Sequence, residues 1–276
     1  MRLYNKNTLK IFQPGEEFWN TYMITKTGEP RKRISYGILK YMYMELGVTL
    51  APSVSTIASG LDGFGAFSAG SQWAAMVTSE VAAEVAMEAM TDKFVTQKNL
   101  ETKIKSAAQA RLSRARDRGT LLHGVFHDVC TGKVKLKSLS DHQRAFYHVC
   151  REILLTKIDI PEGSWSTEQV LSCRSMVGTA DVIAPKVVLD WKTVEKFRDV
   201  HESELGQLAA YAKLSDANEA YLVQIEQESL SFRIVKHMES NEISNYWSIM
   251  TTAGKLWELM LYGKLNRTRL VNPTKS

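Results

Sequence analysis

Apolar and polar positions recur with a period of two in two stretches of this chain and with a helical period through most of the rest. The β-branched run STEQVLSCRSMVGTADVIAPKVVLDWKTV, residues 166–194, predicts a meander with a turn at Pro185-Lys186. EAYLVQIEQ (219–227) and LSFRIVKHM (230–238) predict a hairpin, and HESELGQLAAYAKL (201–214) predicts the helix that leads into it. Further amphipathic helices are expected over 141–157 and 240–265. Over 99–129 the pattern predicts a basic helix, a break at Gly119 and a second helix through His123. Upstream, Pro52 and Ser53 open a short helix ahead of a glycine-rich loop, Gly60 to Gly70. SQWAAMVTSEVAAEVAMEAM (71–90) reads as a helix whose Trp73, Val77, Val81 and Val85 stripe faces a core, and GEPRKRISYG (28–37) reads as an exposed turn.

Helices, a meander, a crossing helix, two more strands and a last helix make an α/β or α+β fold with a small mixed β-sheet flanked by helices. A helical N-terminal region, 1–110, is expected to pack on a core, 111–276, in one compact unit.

Composition narrows the class without deciding it. With 276 residues, 44% of them hydrophobic, the chain can bury a substantial core. A net charge of +5 and a pI near 9.0 allow a polyanionic partner but do not demand one. Cys130, Cys150 and Cys173 are widely spaced, odd in number and form no CxxC pair, so buried thiols in a reducing compartment are expected. The N-terminal MRLYNKNTLK lacks an apolar core of signal-peptide length and no uninterrupted apolar run approaches 18 residues, so a soluble, cytoplasmic protein with no membrane partner is expected. The glycine-rich loop lacks the GK[ST] ending of a P-loop, which argues against nucleotide binding.

VVLDWKTV, 187–194, drives Asp190 and Lys192 into the end of an apolar strand, both on one face, with Trp191 on the other. A hairpin centred on Pro185-Lys186 sets Ile183 opposite Val188 and Asp181 opposite Asp190. Carboxylates roughly 5 Å apart repel by about 3 kcal/mol at an effective dielectric near 20. A cross-strand ion pair with Lys192 offsets part of this; a divalent cation offsets more and is the favoured reading. Gln207 and Tyr211, four residues apart, project from one helix face, as the wet margin of any amphipathic helix also would. His123 is either a satisfied core histidine or a ligand, and His127 faces the same way one turn on. Glu168 is a third carboxylate within reach of the same sheet. Arg111, Arg114 and Arg118 share a helical face, which is either solvated or a contact for nucleic acid.

GTLLHG (119–124), TEQVL (167–171), GTAD (178–181), VLDWKT (188–193) and GQLAAYA (206–212) together resemble, in order and spacing, the PD-(D/E)xK nucleases of the RecB type. The likeness is greatest to phage exonucleases and the mitochondrial genome maintenance exonuclease. APSVSTI (51–57) resembles the segment that often precedes the core there, so the resemblance spans roughly residues 51–215. It implies a restriction-endonuclease-like core, His123, Asp181 and Asp190 as metal ligands and Lys192 as the catalytic lysine. It also implies Gln207 and Tyr211 as the supporting pair and Glu168 as an early acidic residue of the catalytic set. Mg²⁺ or Mn²⁺ would be the cofactor, with DNA, single-stranded or as duplex ends, as substrate. A phage setting would place the protein in the bacterial host cytoplasm, with a recombination or replication protein as partner. Relatives with an iron–sulfur cluster use four cysteines; this chain has three, so no cluster is expected. A metal-dependent DNA exonuclease is thus the leading expectation. A restriction- or repair-type endonuclease and a non-catalytic nucleic-acid-binding module on the same core are the alternatives.

Overall fold

A computed structural model describes residues 2–5, 16–18, 35–61, 82, 97–173 and 175–270. In chain order its elements begin with β1 (Arg2–Asn5), α1 (Tyr36–Glu45), β2 (Val48–Ala51), α2 (Val54–Ala58) and α3 (Gln97–Cys130). Next come α4 (Asp141–Glu152, prolonged by a π-helical turn Ile153–Lys157), β3 (Ser166–Cys173), β4 (Met176–Ala184) and β5 (Val187–Val194). The described chain closes with α5 (Glu202–Leu214), β6 (Glu219–Glu226), β7 (Phe232–Glu239) and α6 (Ser240–Asn266).

The expected meander is β3–β4–β5, antiparallel throughout, with Ile183 opposite Val188. At its second turn Pro185 fixes one backbone torsion and Lys186 takes φ +63°, so the chain reverses in two residues. Helix α5 then carries the chain across one face so that β6 returns parallel to β5, and β7 folds back antiparallel on β6. The result is a five-stranded mixed sheet, β3-β4-β5-β6-β7, flanked by helices. Arg2–Asn5 and Val48–Ala51 form a separate two-stranded sheet that the alternation pattern does not announce.

Central strands with water on neither face read as near-continuous apolar runs, and β5 does so up to Asp190. Val188 packs with α2, α5 and α6, among Ile57, Leu208, Ala212 and Met250. Leu189 and Trp191 pack on the opposite face with Leu122, Phe126, Phe146 and Ile153 of the α3–α4 layer. The Trp191 and Phe126 rings meet edge to face, centroids 5.9 Å apart. Burial of each large side chain there contributes about 1.5–3 kcal/mol. Ser140 and Gln143 close a capping box at the start of α4, and the Ser53 side chain caps α2 as the sequence leads one to expect.

Two expectations need correction. Gly119 is not a break: α3 runs for 34 residues straight through it, and through the expected 110/111 boundary. The glycine is there for closeness, since a Cβ at that position would stand 2.6 Å from Thr193 Oγ1 on β5. The thiols are not all buried either; Cys150 is, Cys173 is half-buried and Cys130 is exposed. All of the expected 71–90 helix but residue 82, its Trp73 stripe included, most of the Gly60–Gly70 loop and most of the basic turn at 28–37 lie outside the described residues. Among the described residues no helix is long and apolar enough to cross a membrane.

Candidate metal centre

Strand register lines up three carboxylates. Thr167 pairs with Val182 and Gln169 with Ala180, so Glu168 on β3 falls opposite Asp181 on β4. The β4–β5 ladder ends at Val182–Leu189, so Asp190 is the next residue of β5 beside Asp181. Like charges at adjoining cross-strand positions are destabilising, and the sheet does not pair normally along this row. Neither Glu168–Asp181 nor Asp181–Asp190 forms a ladder pair. Glu168 adopts φ +51°, a left-handed conformation that costs a non-glycine residue on the order of 1–3 kcal/mol. Strand β4 changes face here: Met176 and Ala180 pack with the α5 cluster, whereas Val182 and Ala184 pack with the α3–α4 cluster. Paired irregularities of this kind re-aim side chains at the edge of a sheet. Asp181 Oδ2 takes up the slack by accepting a hydrogen bond from the Trp191 backbone N–H at 2.7 Å.

Helix α3 brings His123 to this row. Its Nδ1 lies 3.4 Å from Asp181 Oδ1, while its Nε2 is buried and has no hydrogen-bond partner. Ligand atoms of His123, Glu168 and Asp181 all fall within 4.8 Å of one another, the spacing of a metal site. The resemblance implies His123, Asp181 and Asp190 as ligands; Glu168 lies with the first two, and Asp190 stands beside Asp181 on the next strand. Asp190 is 2% exposed. Lys192 Nζ lies 2.5 Å from its Oδ2 without the alignment of a hydrogen bond, and Gln207 Nε2 donates to its Oδ1 at 3.3 Å. Gln207 also donates to Tyr211 Oη at 3.0 Å, and its Oε1 is 3.5 Å from Lys192 Nζ. The helix pair therefore holds the Asp190–Lys192 pair in place.

Electrostatics separate these groups. Burial and the neighbouring Asp181 charge push Asp190 up to about 6, against the pull of Lys192. Burial also raises Glu168, with the Asp181 charge adding to it. Asp181 moves the other way: His123, Lys192 and the Trp191 N–H outweigh its burial and hold it below the usual range. For Lys192, burial favours the neutral amine, but Asp190 and Asp181 outweigh it and keep the side chain an ammonium. His123 is likewise raised, its burial being outweighed by Asp181. One imidazole and two carboxylates around a buried, unsatisfied nitrogen suit a hard or borderline divalent cation.

His127 is not part of the trio. Lys133 Nζ donates to its Nε2 at 3.0 Å, and its Nδ1–H then donates to Thr167 Oγ1 at 2.8 Å, so both nitrogens are used. Arg111, Arg114 and Arg118 lie on α3 before His123; their side chains are outside the described residues.

Four supporting residues carry no assignment from the sequence. A Cβ on Gly178 would stand 2.5 Å from the Tyr211 ring, so only glycine lets α5 lie this close to β4. Buried Glu204 is gripped by the Arg198 guanidinium, and Gln224 bonds both the N–H and the C=O of Arg198. This ties down the loop between Lys192 and Gln207. The signals were present as an acidic residue at the third position of a helix and a polar residue inside an apolar strand, but their partners are distant in sequence.

No protein-family model and no curated protein matches the chain. One solved structure, described as the crystal structure of SSO0001, is 18% identical over 39% of this chain, with a TM-score of 0.24. The match covers 57% of that structure's own length. Similarity at this level is too slight to bear on function.

Proposed function

We propose that the chain is a metal-dependent DNA exonuclease that hydrolyses phosphodiester bonds, with a PD-(D/E)xK-like arrangement of His123, Glu168, Asp181, Asp190 and Lys192. The observation that supports it most is the row of three carboxylates across β3, β4 and β5, met by a half-buried imidazole whose Nε2 is buried and without a partner, and backed by a half-buried ammonium. A structural role accounts for such a row poorly, because it costs repulsion, burial and a strained backbone at Glu168.

His123, Glu168 and Asp181 would hold Mg²⁺ or Mn²⁺, with Asp190 within reach to complete the set. The cation supplies Lewis acidity to a phosphate oxygen and makes a nearby water more acidic. Lys192, kept protonated by Asp190 and Asp181, is unsuited to take a proton from water. Its ammonium instead stabilises negative charge on the phosphate as the water oxygen attacks phosphorus and the bridging P–O bond breaks. Gln207 and Tyr211 keep that ammonium and Asp190 from drifting. Asp190, pushed up to about 6 by burial, is the group suited to exchange protons near neutral pH.

Digestion of linear and covalently closed circular single strands with Mn²⁺ tests the reading. An exonuclease degrades the linear strand and leaves the circle intact. Cleaved circles would make the protein an endonuclease, and two intact substrates would exclude nuclease action on single strands.

A further inference from the structure

Helix α3 ends at Cys130, and the chain leaves it through TGKVKLKSLS, residues 131–140, with three lysines and no acidic residue. Gly132 turns the chain at φ +71°, and the Val134 N–H bonds back to the Asp128 carbonyl. Beyond the turn exposure alternates: Lys133, Lys135 and Lys137 are exposed, while Val134 and Leu136 are half-buried. The three lysine side chains thus stand on the outer side of the loop. A chain whose net charge is only +5 thus concentrates three positive charges in five residues.

The loop is also tethered to the metal centre. Lys133 donates to His127, His127 donates to Thr167, and Thr167 precedes Glu168 on β3. Lys133 is partly neutralised by Asp128 at 3.8 Å, but Lys135 and Lys137 have no acidic partner among the described residues. Seven residues of helix separate His123 from Cys130, about 10 Å at 1.5 Å per residue. That is about three phosphates of a duplex strand at ~3.4 Å each.

We propose that the Lys133–Lys137 loop is a phosphate-backbone subsite, taking the stretch of nucleic acid that runs from the metal centre past the C-terminal end of α3. This rests on the nuclease reading only in that the substrate is a nucleic acid. Ammonium groups on a tethered loop grip phosphates as point charges and read no bases, so the subsite strengthens binding at every sequence alike.

The test is binding of labelled single-stranded and duplex DNA to the full chain in EDTA, where cleavage is silent, as a function of salt. The Lys135→Gln/Lys137→Gln variant removes no described side-chain contact, since Lys135 bonds Ser138 through its backbone carbonyl alone, and is expected to melt like the wild type. It should bind more weakly at every sequence, with the slope of log affinity against log salt shallower by about 0.7 per lost contact on single strands or about 0.9 on duplex. Adding Lys133→Gln should extend the loss. Wild-type affinity and slope in the double variant would overturn the proposal, as would absence of DNA binding by the wild type. Cleavage by the wild type with Mn²⁺, measured in parallel, separates the two claims. A wild type that cleaves beside variants that bind normally removes the subsite alone; weakened variants beside an inactive wild type remove the nuclease reading and keep the subsite.

Discussion

The Trp191 backbone N–H donates to Asp181 Oδ2 at 2.7 Å, so a side chain stands where a strand partner would otherwise be. One carboxylate thereby repairs the sheet with one oxygen and faces His123 with the other.

Asp181→Ala and Asp181→Asn should therefore behave differently. Alanine leaves a buried N–H unpaired and should lower stability by about 1–3 kcal/mol, whereas asparagine keeps an acceptor and should melt near the wild type. Both should lose divalent-metal affinity. Thermal melts and calorimetric Mn²⁺ titrations check this, and an alanine variant as stable as the asparagine one would show the bond to be dispensable.

Gly119 and Thr193 offer a test of how α3 sits on β5. Alanine is favoured over glycine in a helix by about 1 kcal/mol, but here its methyl would collide with Thr193 Oγ1. Gly119→Ala should destabilise the protein and weaken metal binding, because His123 lies one turn further along. Adding Thr193→Ala removes the colliding oxygen and should restore stability to the wild-type level or above. A double-mutant cycle reads the coupling directly, and strict additivity would place the two residues out of contact.

Much of this geometry is legible in the sequence, and what is not has identifiable causes. The two-residue period places Asp190 and Lys192 on one face, and the Pro185-Lys186 turn sets the register that brings Asp181 alongside. Gln207 and Tyr211 bond each other as their spacing suggests. The left-handed backbone of Glu168 has no local signal, since it reflects the pairing of three strands rather than its own neighbours, so the sequence offers Glu168 as a further carboxylate without showing its place beside His123 and Asp181. Gly119 looks like a helix breaker for the same reason: Thr193, which requires it, is far along the chain.

Asp190 should make stability depend on pH. Its pKa rises from the ordinary carboxylate range to about 6 on folding, so folding favours its protonated form. The stability this lends is full below the unfolded pKa and is lost as pH climbs to about 6, a change on the order of 3 kcal/mol. In metal-free protein, Asp190→Asn should therefore gain on the wild type as pH rises from about 4 to about 6. Melting curves across that window check the sign, and a constant or shrinking difference would contradict it.

Lys192→Ala should still bind Mn²⁺ and DNA but lose turnover by at least about 100-fold, the scale of removing one electrostatic stabiliser. Calorimetry showing that metal binding is lost as well would make Lys192 a structural counter-charge to Asp190 and Asp181.

The most direct measurement is release of nucleotides from end-labelled linear DNA by the wild type and by Glu168→Gln, each with Mn²⁺ and with EDTA. Glu168 decides the matter because it belongs to the trio around His123 and, unlike Asp181, makes no bond that repairs the sheet. The account predicts metal-dependent release by the wild type and a loss of at least about 100-fold in the variant, with its melting temperature preserved. Undiminished release by Glu168→Gln, release that persists in EDTA, or none from the wild type would contradict it.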